Sequence, residues 1–246
     1  MATYFIFSLI STILLFGSLL SAQTGPGNPL SSNIVSFQEL RHKVPGAAQS
    51  EMNKACKARL KHKDDDEILH LRNAVRIDPE YVAARNNLAI SLVGKDPVSA
   101  VAQLEQAIKI DPHRVVLFHN LALAYLVGDN LEAAERAARH AIDLDATATR
   151  TRVLLGILLV LQHKHNAEAL ADLEPGREIY PPAGMFSAEV LLHQKRWSKA
   201  KTYIDEYLSS GDDRFRDTAE RWLRYIDQRV ATGEAALTGP ALPAPE

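Results

Sequence analysis

A sixteen-residue phrase returns in phase along the middle of this chain. It reads AVRIDPEYVAARNNLA from Ala74 to Ala89 and AIKIDPHRVVLFHNLA from Ala107 to Ala122. An eroded copy, AIDLDATATRTRVLLG, runs from Ala141 to Gly156, and the copies are offset by 33 and 34 residues. A fixed period of that size marks an array of supersecondary units, none of which can bury its apolar face alone. Arrays of this kind present extended surfaces that hold other molecules.

Each phrase reads as a helix end, a turn and a helix start. Ala74, Ala107 and Ala141 are small residues for the last turn of one helix. Aspartate is a preferred N-cap and proline suits the first helical position, so Asp78-Pro79 and Asp111-Pro112 predict helices that begin at the prolines. In the third copy Ala146 replaces proline, which leaves capping to Asp145 and Thr147. Apolar residues then recur at spacings of three and four: Val82, Leu88, Ala89 and Leu92, then Leu117, Leu121, Ala122 and Tyr125. Gly94-Lys95-Asp96-Pro97 and Gly128-Asp129-Asn130 break the pattern, and a second helix follows each break. Ala89, Ala122 and Gly156 are placed for close helix crossing, and Ala55 and Ala188 extend that register in both directions.

Asn87-Leu88-Ala89, Asn120-Leu121-Ala122, Gly156, Tyr125, the alanines at 74, 100, 107, 134 and 141 and the prolines resemble the tetratricopeptide repeat. The resemblance implies an all-α fold, a right-handed superhelix (solenoid) of antiparallel helix pairs. Units fall at about 47–79, 80–112, 113–146, 147–180 and 181–211, with a C-terminal helix at 212–230, inside a domain at 40–230. Pro175-Gly176 interrupts the second helix of the 147–180 unit, and Glu67 stands where a small residue is expected. In that family the first helix of each pair lines a concave groove. The resemblance therefore places Asn86, Asn87, Ile90, His119, Asn120, Leu123, Val153, Leu154 and Ile157 on the groove side, facing a protein or peptide partner. The lysines of a carboxylate clamp are absent, and only Arg150 could stand in.

The ends are unlike the middle. The first charged side chain is Glu39, and Tyr4–Leu20 is almost wholly apolar before Ser21-Ala22-Gln23. That outline predicts a secretory signal at 1–22, cleaved after Ala22, and hence a periplasmic or secreted protein. The rival reading is an uncleaved anchor at 4–20, since about 17–25 apolar residues can span a bilayer. Residues 23–39 read as a flexible linker, and the Ala/Gly/Pro-rich stretch 231–246 as a disordered tail.

Little in the chain resembles chemistry. A net charge of −2 gives no case for nucleic acid, which needs a basic face. Cys56 is the only cysteine, so no disulfide can form within the chain, and its place on a helix reads as a small packed hydrophobe. His163 and His165 flank Lys164 in a turn and read as surface histidines rather than ligands. Lys61-His62-Lys63 followed by Asp64-Asp65-Asp66-Glu67 suits two helix dipoles, and lacks the glycine-containing spacing of a calcium loop. No catalytic residue, metal ligand or cofactor is assigned. The alternatives are a membrane-anchored assembly factor, or a metal protein or enzyme that uses these histidines and acids. Helix 150–161, RTRVLLGILLVL, is apolar nearly all round and reads as a buried central helix, the alternative being an exposed apolar patch for a partner.

Overall fold

A computed structural model describes residues 42–164 and 167–231. The signal or anchor at 1–22, the linker, the tail and His165 lie outside the described residues. Within them the chain forms two compact units, one ending at Ala146 and the other beginning at Thr147.

The first unit holds α1 (Gly46–Leu60), α2 (Asp64–Ile77), α3 (Val82–Leu92), α4 (Pro97–Ile110), α5 (Val115–Val127) and α6 (Leu131–Leu144). Consecutive helices pack as pairs, α1 on α2, α3 on α4 and α5 on α6, while α3 also touches α5. The second unit holds α7 (Thr149–Leu161), α8 (Ala167–Leu173), a 3-10 turn (Glu174–Gly176), α9 (Pro182–His193), α10 (Trp197–Ser209) and α11 (Arg216–Ala231). There α7 pairs with α8, α9 pairs with α10, and α7 touches α9. Among the described residues there is no strand, and no helix is long and apolar enough to cross a membrane.

The crossing residues behave as their register predicts. Ala55, Ala89, Ala122 and Ala188 are buried, as are Ala74, Ala107 and Ala141 on the second helices. Gly156 is the tightest case on α7: a Cβ there would lie 2.7 Å from Leu173 Cγ and 3.1 Å from the Ala169 carbonyl oxygen of α8. The break at Pro175-Gly176 has a packing reason as well, because a Cβ on Gly176 would sit 2.0 Å from Val153 Cγ2. A regular helix with an ordinary side chain could not pass that close. Helix α7 is buried from Val153 to Val160.

Two sequence expectations are corrected. Helices α3, α5 and α7 do not start at the residue after the aspartate; they start at Val82, Val115 and Thr149. Asp78 closes the preceding helix and accepts from the Glu80 amide at 3.1 Å, making a turn of its own. Helix α7 follows Ala148, which makes no side-chain cap bond. The aspartate–proline cap exists one helix later, where Asp96 accepts from the Ser99 amide at 3.0 Å with Pro97 opening α4. Asn130 does the same for α6 through the Ala133 amide at 3.1 Å. The second correction is Cys56, which is exposed rather than packed.

Glu67 also finds its reason. It is buried and accepts from Arg59 Nε at 2.9 Å and Nη2 at 2.7 Å, and Ser91 on α3 donates to the same oxygen. A carboxylate in the place of a small residue therefore ties α1, α2 and α3 together.

Candidate interaction surface

Helices α3 and α5 carry the residues that the resemblance places on an inner face. Asn86 and Asn87 precede Ala89 as His119 and Asn120 precede Ala122, so the same positions recur on successive first helices. All four of these polar residues are buried. The Asn120 side-chain amide donates to Asn86 Oδ1 at 2.7 Å, and Asn87 Nδ2 donates to Met52 Sδ on α1 at 3.7 Å. A buried amide that leaves water must find a partner, and these find theirs within the array.

Ile90 and Leu123 are half-buried, each one residue past the small crossing position. Ala83 and Val116 are half-buried too, seven residues before Ile90 and Leu123 on the same helix face. What solvent reaches along this face is thus short and apolar, with the amides as its floor. The sequence reading misses Ala83 and Val116, although their spacing of 33 residues carried the signal. Cys56, one residue past Ala55, takes the equivalent place on α1 and is exposed.

In the second unit Val153, Leu154 and Ile157 are buried in α7, with Val153 against Gly176. These three are core residues of their unit. On α9 the equivalent places are taken by Met185, which is buried, and Glu189, which is half-buried.

The strongly shifted titratable groups lie elsewhere and are bolts between helices. Hydrogen bonds from Lys54 and then His70 hold the Glu51 carboxyl down at about 2, joining α1 to α2. Burial, then a hydrogen bond to Glu174 at 2.7 Å, pushes the Tyr203 hydroxyl up to about 12. Arg177 stacks 4.1 Å from the Tyr203 ring centroid and also pairs with Glu174 at 2.9 Å. Paired structural groups of this kind perturb pKa values without any catalytic role. The acidic run Asp64–Asp66 is likewise occupied, with Lys95 reaching Asp65 at 3.0 Å and Lys63 reaching Asp66 at 3.7 Å.

No family model matches the sequence, and no curated protein does. Solved structures do. PilF of Pseudomonas aeruginosa superposes with a TM-score of 0.64 at 18% identity, covering 77% of this chain and 87% of that one. A tetratricopeptide repeat protein from Parabacteroides merdae gives 0.62 at 14% identity, over 78% of this chain and 77% of its own. YrrB, described as a TPR protein with an unusual peptide-binding site, gives 0.55 at 18% identity, over 68% of this chain and 87% of its own. At these identities the likeness concerns the backbone, and it agrees with the phase of the small residues and the pairing of the helices. The chain has the tetratricopeptide-repeat fold, all-α and built from antiparallel helix pairs.

Proposed function

We infer that this protein is a non-catalytic interaction module that is exported and receives a peptide or amphipathic helix of a partner protein along the inner face of α1, α3 and α5. One observation carries the reading. Half-exposed Ala83 and Ile90 on α3 recur as Val116 and Leu123 on α5, over a floor of buried amides that already bond to the array. A preformed apolar face leaves most of the ordering cost to the partner. An amphipathic helix suits it because apolar anchors at spacings of three, four and seven meet such a row. The peptide-binding site in the name of YrrB supports the same class of ligand. Export rests on the apolar run Tyr4–Leu20 ending in Ser21-Ala22, with an envelope-anchored assembly factor as the second form of the same module.

Affinity capture from the native envelope tests the surface. Ile90→Glu with Leu123→Glu abolishes recovery of the partner, whereas Gln106→Glu on α4 leaves it unchanged. Equal recovery from both overturns the inner-face reading. N-terminal sequencing tests export: the mature protein begins near Gln23, and full-length soluble protein from the cytoplasm contradicts it.

A further inference from the structure

We propose that residues 29–41, which lie outside the described residues, dock as a short amphipathic helix on the inner face of α1 and α3. Resting on the inner-face reading above, this gives that surface an occupant from the same chain, which a partner displaces.

The described chain begins at His42. Its Nε2 lies 2.7 Å from Asp78 Oδ2 and its Nδ1 3.4 Å from Glu80 Oε2, at the turn from α2 into α3. The Tyr81 hydroxyl donates to Gln49 Oε1 at 3.1 Å, which brings the first turn of α1 beside the start of α3. The preceding chain therefore enters at the end of the unit from which α1 and α3 both set out, and where the row Ala83–Ile90 begins.

Two sides of α1 are open. On one, Ser50 and Lys54 are exposed and polar at the places that are buried and apolar on α3, as Ala84 and Leu88, and on α5, as Leu117 and Leu121. That side offers an apolar segment no seat. On the other, Cys56 and Leu60 are both exposed, four residues apart and so on one face. Leu60 is 82% exposed, and a large apolar side chain so open at the edge of an apolar row is uncovered surface.

The segment before His42 has the matching pattern. Leu30, Ile34, Phe37 and Leu40 stand at spacings of four, three and three, one face of a helix, with Asn28-Pro29 suited to its start. The four residues 42–45 separate this stretch from α1, a usual length for two antiparallel helices. Folding back through them sets Leu40 opposite Gln49, Ile34 opposite Cys56 and Leu30 opposite Leu60, because both helices advance by the same rise per residue. The register thus brings apolar residues to the open apolar side of α1. A short tether also gives the segment an effective concentration of about millimolar, which favours it over a second copy of the chain.

The test uses protein purified from the native host, with Cys56 as its single thiol. Ile34→Cys, oxidised with diamide in dilute solution, forms a disulfide with Cys56 about tenfold faster than Val35→Cys does. The two added thiols share one tether but point to different sides of a docked helix. Equal rates overturn the proposal, and a disulfide-linked dimer in place of the internal bond overturns it in favour of a second copy. In the protein without added cysteine, Phe37→Glu with Leu40→Glu speeds maleimide labelling of Cys56 about threefold, since thiol reactivity follows access. Ser32→Glu with Ser36→Glu, on the polar side of the segment, leaves that rate as in wild type. Unchanged labelling in the first pair, or equal acceleration in both, overturns the docking. Neither readout needs a partner, so both stand even where Ile90→Glu with Leu123→Glu leaves partner capture unchanged.

Discussion

Asn120 on α5 donates its side-chain amide to Asn86 on α3 at 2.7 Å, with both residues buried, and so links helices one repeat apart. Repeat arrays are held by contacts between nearest neighbours, and this bond is one such contact made of polar atoms. Asn120→Ala leaves the Asn86 oxygen buried and unpaired, which costs about 1–3 kcal/mol. The double variant with Asn86→Ala costs less than the sum of the two single changes. Urea denaturation of the four proteins measures the coupling, and strict additivity refutes the link.

Close approach at Gly176 gives a steeper effect. Gly176→Ala drives a methyl into Val153, 2.0 Å from Cγ2, and overpacking of this kind costs about 1–3 kcal/mol. Val153→Ala makes room and recovers part of the loss in the double variant. Gly46→Ala, where nothing lies within 4 Å, leaves the melting temperature unchanged or slightly raised. Equal melting temperatures for the two alanine variants would show that α7 and the 3-10 turn are not packed as described.

The pair between half-buried Arg59 and buried Glu67 behaves asymmetrically. Arg59→Ala leaves the Glu67 carboxylate with Ser91 as its donor, and because Arg59 is half-buried the loss falls below the about 3–5 kcal/mol of breaking a fully buried pair from one side. Removing both charges, with Arg59→Met and Glu67→Ala, costs less, because the small residue usual at this place in the repeat returns. Chemical denaturation ranks the variants, and a milder loss for Arg59→Ala than for the double change contradicts the pairing.

Glu51 sets an acid-side dependence. Its carboxyl titrates at about 2 when folded, against about 4.3 for a free glutamate. A depressed carboxylate adds stability that is fully present above the free value and is lost as pH falls from about 4.3 towards 2. The melting-temperature gap between wild type and Glu51→Gln is therefore constant above pH 5 and closes across that window. A gap unchanged down to pH 2 shows that the bonds from Lys54 and His70 do not hold the charge.

Phase made most of the fold legible. Ala89, Ala122, Gly156 and Ala188 are packing positions fixed by helix geometry, and the sequence spaces them one repeat apart. Helix starts were less legible: Asp78 accepts from the Glu80 amide and lies 2.7 Å from His42 Nε2, 36 residues away, instead of capping α3. The amide floor follows the same logic. Asn87 and Asn120 stand in register in the sequence, yet Asn120 bonds to Asn86, one place earlier, and that bond is visible only once α3 lies against α5. Glu67 breaks the small-residue pattern, and nothing in the sequence alone names Arg59 and Ser91 as its partners.

The most direct test of the inner face uses the single thiol. Cys56 is exposed and stands on α1 where Ile90 and Leu123 stand on α3 and α5. A benzophenone maleimide on Cys56, photolysed in the presence of native envelope extract, cross-links the partner recovered by affinity capture. The same reagent on a Cys56→Ser, Gln106→Cys protein, which carries the thiol on α4, captures none of it. Cross-linking of that partner from position 106 and not from position 56 would contradict binding along the inner face.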